Sequence, residues 1–149
     1  MDAMVVSGAI ACLSLSAVGS AVGTGLAASA AVGSWKKCYA ANKPAPFTLL
    51  TFVGLPLSQT LYGMILMFVM NGKAAIAGAG IPLLVLGLFA GLGIGASAVF
   101  QGRAAAAACD AQAETGQGLA NYVVALGVVE TVAIFMMVFT IIALGKVVG

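Results

Sequence analysis

Glu130 is the only charge between Glu114 and Lys146, each sixteen residues away. The stretch around it, Leu126-Gly127-Val128-Val129-Glu130-Thr131-Val132-Ala133-Ile134-Phe135, is otherwise uncharged and mostly apolar. Read as one helix rising about 1.5 Å per residue, the run sets those charges about 24 Å to either side. Glu130 then falls near the middle of a hydrocarbon core about 30 Å thick. An ionised carboxylate there costs at least about 2.5–3.5 kcal/mol, so it must be neutralised, paired or holding a cation.

Other polar groups stand where they can meet it. Gln59 lies mid-run in an earlier apolar segment, with Ser58 beside it and Tyr62 about one turn along. Pro56 cannot supply an N–H to that turn, which leaves a carbonyl such as that of Leu55 open to coordination. Gln101 and Glu130 are centred between Thr115 and Gly116, so in an antiparallel hairpin they share a depth. Gln59 and Gln101 differ by about eight residues in their distance from the second loop, which tilt or an extended Lys73–Ile81 segment must absorb.

These groups offer one carboxylate, two amide oxygens, a hydroxyl and a carbonyl. An all-oxygen set with one negative charge suits a hard monovalent cation, whereas Ca²⁺ and Mg²⁺ usually draw more carboxylates. A site for a proton needs the carboxylate alone. Sodium is therefore the first choice and the proton the second. A lone Gln in a membrane helix is more often interhelical glue; Gln59 beside Ser58, in register with Glu130, reverses that preference. Tyr62 either packs or hydrogen-bonds the carboxylate, and both readings stay open.

The elements that must carry these residues follow from composition. Of 149 residues 62% are hydrophobic and only 7% charged, with a mean hydropathy of +1.16, which specifies a membrane protein. The net charge of +2 is too small and dispersed for nucleic acid, and the absence of His removes the usual base and the commonest transition-metal ligand. Cys12, Cys38 and Cys109 form no CxxC pair and read as small apolar filler. The N-terminal apolar run opens with Asp2 and has no Lys or Arg before Lys36, so it reads as a retained helix rather than a signal peptide.

Four uncharged runs are each long enough to span: Ala3 to Trp35, Pro44 to Gly72, Ala74 to Gly102, and Thr115 to Gly145 apart from Glu130. Asn42, Pro44 and Pro46, then Asn71-Gly72, Gly78, Gly80 and Pro82, then Gly116 and Gly118 mark the connections. Lys36, Lys37, Lys43 and Arg103 follow the first and third runs, against Lys73 and Lys146 opposite, which places those two loops in the cytoplasm and both termini outside. Asp2, Lys73 and Lys146 read as interfacial anchors and Trp35 as an interface aromatic, with Asp110 and Glu114 solvated near the third loop.

Gly19, Gly23, Ala27 and Ala31 recur every fourth residue, as do Gly87, Gly91 and Gly95, which lets membrane helices approach closely. Two such stripes on alternate helices suit a crowded inner layer, as in a closed ring of many copies. Gly54-Leu55-Pro56-Leu57-Ser58-Gln59-Thr60 aligns with Ala125-Leu126-Gly127-Val128-Val129-Glu130-Thr131 at an offset of 71, with Gln59 in the place of Glu130. The expected fold is an all-α membrane protein of four transmembrane helices, made of two duplicated helical hairpins over residues 1–73 and 74–149.

Leu55-Pro56-Leu57-Ser58-Gln59-Thr60-Leu61-Tyr62-Gly63 and Val128-Val129-Glu130-Thr131-Val132-Ala133-Ile134 resemble the paired motifs of the proteolipid rotor proteins of V-type (vacuolar/archaeal-type) ATPases. The resemblance runs over nearly the whole chain. It implies a ring of identical subunits in the cell membrane, turning on a central-stalk subunit against a membrane stator whose arginine displaces the ion from each carboxylate. It also implies Na⁺ ligands at Leu55, Ser58, Gln59, Gln101 and Glu130, with Tyr62 locking the carboxylate. Ser58 stands where threonine is expected, which keeps the hydroxyl, and Gly127 replaces a proline found in many members. The chain carries no phosphate-binding motif and no nucleophile with a base, so it is expected to be a translocating part of an enzyme, without a cofactor. The more distant alternative, a small independent channel or exporter, would spread polar residues along a path, whereas here they are confined to one level.

Overall fold

Small residues at every fourth position replace a ridge of side chains with exposed backbone, and two such helices close on each other. The computed structural model describes residues 3–148, so the anchor expected at Asp2 lies outside the described residues. Within them, α1 (Ala3–Ala40) and α4 (Gly80–Thr115) form the most extensive helix pair. Gly8 lies against Leu83 and Gly87, Gly19 against Gly95, and Gly23 against Ala98 and Gly102. The numbers rise together, so the helices run parallel. A methyl group on Gly19 would overlap the Gly95 backbone, which is why this contact needs glycine.

Two parallel helices require a return path between them. The second span provides it as α2 (Leu49–Gly54), a 3₁₀ turn (Leu55–Leu57) and α3 (Ser58–Asn71). The last helix, α5 (Leu119–Val147), packs mainly on α4. It buries only Leu126, Ala133, Thr140 and Leu144, a stripe of nearly seven-residue period, and turns Val124, Val128, Val132, Phe135 and Phe139 outward. All four spans are long and apolar enough to cross a membrane, and the described residues contain no strand.

The helices run further than the uncharged stretches suggest. α1 continues past Trp35 to Ala40, and α4 continues past Arg103 to Thr115. Ala104 to Ala108 explain the second extension, since alanine is the best helix former and a charged side chain does not end a helix. Lys36, Lys37 and Arg103 thus lie on helices, with Lys43 in the first connector. Asp110 is paired rather than merely solvated: Lys37 Nζ lies 2.8 Å from its carboxylate, both side chains largely exposed.

Trp35 donates its indole N–H to the Pro46 carbonyl at 2.8 Å and ties down that connector. Gly116 and Gly118, at φ 69° and 90°, make the tight turn into α5. The second connector, residues 72–79, is a run of turns rather than an extended segment. It joins the end of α3, twelve residues from Gln59, to the start of α4, twenty-one residues from Gln101, and so covers a height difference of about 13 Å.

Candidate ion-binding site

Three helices meet around Glu130. The carboxylate projects from α5, which begins only at Leu119, so it lies about 16 Å from that end and about 26 Å from Val147 rather than equally from both charges. The tight turn shortens the run on the Glu114 side. Glu130 is half-buried, and each of its oxygens receives a donor. The Tyr62 hydroxyl of α3 donates to Oε1 at 2.6 Å, and Gln101 Nε2 of α4 donates to Oε2 at 3.3 Å. Tyr62 therefore bonds the carboxylate rather than only packing.

The two glutamines link the helices. Gln59 and Gln101 are fully buried, and Gln59 Nε2 donates to Gln101 Oε1 at 2.8 Å. Gln101 Nε2 also donates to the Leu126 carbonyl at 3.0 Å. The Ser58 hydroxyl lies 2.9 Å from the Leu55 carbonyl and 3.2 Å from Gln59 Oε1, with one proton to share between them. The result is a continuous chain from the 3₁₀ turn to the carboxylate.

The break in the second span explains where that chain begins. Pro56 has no N–H for the carbonyl four residues back, that of Phe52, and the backbone tightens into the 3₁₀ turn. The Leu55 carbonyl is not left free by this, contrary to the expectation from sequence: it accepts the Ser58 amide as well as the hydroxyl. It remains at the rim of the polar cluster. All six residues singled out from sequence thus fall in one connected group on three spans.

Ser97 was not among them. Its hydroxyl donates to the Val129 carbonyl at 3.0 Å and holds the α5 backbone beside Glu130. Its position four residues before Gln101, on the same face of α4, was the available signal. Arg103 lies two residues beyond Gln101, leaves α4 on nearly the opposite side, and is exposed. Among the described residues the one ion pair is Lys37–Asp110, so no cationic side chain neutralises Glu130. Nor do three His, Cys, Asp or Glu side chains come together among the described residues, so the cluster has one acidic member and otherwise neutral oxygens.

Four apolar spans, the last of them carrying a carboxylate within its length, define an integral membrane protein of the helical-bundle type. More particularly, residues 84–143 match the family model of the ATP synthase C subunit. The match takes in most of α4 and α5, and with them Gln101 and Glu130, while the hairpin that carries Gln59 lies outside it. No curated protein matches the chain.

Proposed function

We propose that this chain is the ion-carrying rotor-ring subunit of a rotary V-type ATPase, binding Na⁺ at Glu130 and moving it past a membrane stator during ATP-driven rotation. The observation that carries the reading is a half-buried carboxylate joined to two buried glutamines, with no cationic side chain among the described residues to pair it. Such a group needs a counter-charge from outside the chain, and a carried cation supplies one. The match of residues 84–143 to the ATP synthase C subunit supports the rotor assignment.

In this mechanism Na⁺ enters among the oxygens of Glu130, Gln59, Gln101, Ser58 and Leu55. Five oxygen donors carrying one negative charge satisfy a monovalent ion. Tyr62 holds the carboxylate in place while the loaded site crosses the lipid, and the stator's arginine withdraws the carboxylate at release. Identical copies form the ring, and a central-stalk subunit transmits torque to the loop face. The loops after α1 and α4 face the cytoplasm, with both termini outside.

The test is labelling of the purified ring with a hydrophobic carbodiimide, whose central carbon takes up the oxygen of a protonated carboxyl in an apolar setting. Sodium near neutral pH protects Glu130 and potassium does not. Labelling indifferent to sodium would assign the same ring to protons. Failure to recover a stable high-mass ring in detergent would overturn the rotor assignment.

A further inference from the structure

Hydroxyls on membrane-type helices commonly bond their own backbone one turn back. Ser16 donates to Cys12, Thr131 to Val128 and Thr140 to Met136 in this way. Ser20 and Thr24 on α1 do not. Their hydroxyl oxygens are buried and have no hydrogen-bond partner, and Ser20 as a residue is 1% exposed. Orphaned buried hydroxyls are costly, so each calls for an explanation.

Their neighbours are set by helix register. A side chain on Gly63 would meet the Ser16 hydroxyl, and one on Gly23 would meet Pro56. α1 and the second span run antiparallel, so Ser20, between Ser16 and Gly23, is level with Gln59, between Gly63 and Pro56. Both residues are fully buried. Gln59 spends one amide N–H on Gln101, and its second N–H is not engaged. Thr24, one turn on, is level with Leu55 in the 3₁₀ turn, beside the Phe52 carbonyl that Pro56 leaves without its usual donor. An unbonded hydroxyl thus lies level with an unspent N–H, and one turn on a second unbonded hydroxyl lies level with a turn in which proline has removed a carbonyl's usual donor.

We propose that Ser20 and Thr24 are positioning residues of the ion site, an assignment that rests on the ion-carrying reading of Glu130. By a change of rotamer the Ser20 hydroxyl, unbonded in this structure, accepts the second N–H of Gln59 and fixes the amide with its oxygen toward Ser58 and the ion. By the same kind of change the Thr24 hydroxyl donates to the Phe52 carbonyl and holds the 3₁₀ turn that presents Leu55 and Ser58. Neither touches the ion. The first helix thereby supplies the back wall of a site whose ligands all come from the other three spans.

The experiment uses the intact ring, checked for assembly in detergent, with Ser20→Ala, the isosteric Thr24→Val, and Ser14→Ala at an exposed position of α1 as control. Two quantities are read: the carbodiimide labelling rate of Glu130 without sodium, and the sodium concentration that halves it. A buried hydrogen bond lost beside a ligand raises the half-protecting concentration about five- to tenfold in Ser20→Ala and in Thr24→Val, with Ser14→Ala unchanged. The sodium-free rate rises in both variants, because Gln59 is held less firmly and with it Gln101, the partner that donates to the carboxylate. Rates and half-points within twofold of the parent in both variants overturn the inference, and Thr24→Val decides it should Ser20→Ala not assemble. A parent ring without sodium protection overturns the sodium reading by itself, and the sodium-free rates then still decide on Ser20 and Thr24.

Discussion

Glu130, Tyr62 and Gln101 show what a single side chain contributes among apolar helices. The Tyr62 hydroxyl on Glu130 Oε1 at 2.6 Å is the shortest bond in the cluster and comes from a different span. A hydrogen bond to a charged group contributes about 1.5–3 kcal/mol, which corresponds to at least about tenfold in an equilibrium constant. Tyr62→Phe is therefore expected to weaken sodium retention by about tenfold or more while the ring still assembles, because the shape of the aromatic side chain is kept. Sodium-dependent protection of Glu130 from carbodiimide measures it, and an unchanged half-point would reduce Tyr62 to packing. At this scale much was legible: Glu130, Gln59 and Gln101 announce themselves as polar residues inside apolar runs. Ser97 did not, since serine is common in membrane helices and only its bond to the Val129 carbonyl distinguishes it.

At the scale of helices, glycine decides which elements touch. Gly19 and Gly25 are both glycines on α1, yet a side chain on Gly19 would overlap Gly95 while one on Gly25 would meet nothing. Overpacking of a tight contact costs about 1–3 kcal/mol, and here the obstacle is backbone, which cannot rotate away. Gly19→Ala is expected to lower the unfolding temperature of the protein in detergent by several degrees, and Gly19→Leu to abolish folding. Loss of helical circular dichroism on heating reports it; a Gly19→Ala protein as stable as the parent would contradict the observed α1–α4 packing. The four-residue spacing disclosed the stripes but not their pairing. Nor could it disclose that α4 runs through Arg103, because hydropathy marks the end of an apolar run and not the end of a helix.

The whole molecule presents an apolar exterior along α5, which suits lipid, and a backbone-tight pair of helices, α1 and α4, that suits a thin inner layer. In the ring proposed above, the ratio of carboxylates to helices has a mechanical consequence. One carboxylate per four helices, instead of one per two, halves the ions moved per turn for a similar circumference. Fewer ions per ATP push each ion against a steeper gradient, and the same gradient drives synthesis less readily. The purified complex in sealed vesicles is expected to pump on ATP and to make little ATP at ordinary ion-motive force. Ready synthesis from an imposed sodium gradient would count against the gearing argument.

Sequence alone determined that the chain is apolar enough for a membrane, that it holds four spans, and that one carboxylate sits out of place among them. These are properties of composition and of charges along a line, and each is read without knowing where another helix lies. Only the tertiary structure decided that α1 seats on α4 in parallel, that Tyr62 reaches across to Glu130, and that the Leu55 carbonyl is engaged by Ser58. The physical reason is that spacing gives the face a residue occupies and its depth, whereas a hydrogen bond needs two faces at one depth turned toward each other. Glu130 could be found from its cost; its partners had to be found from packing.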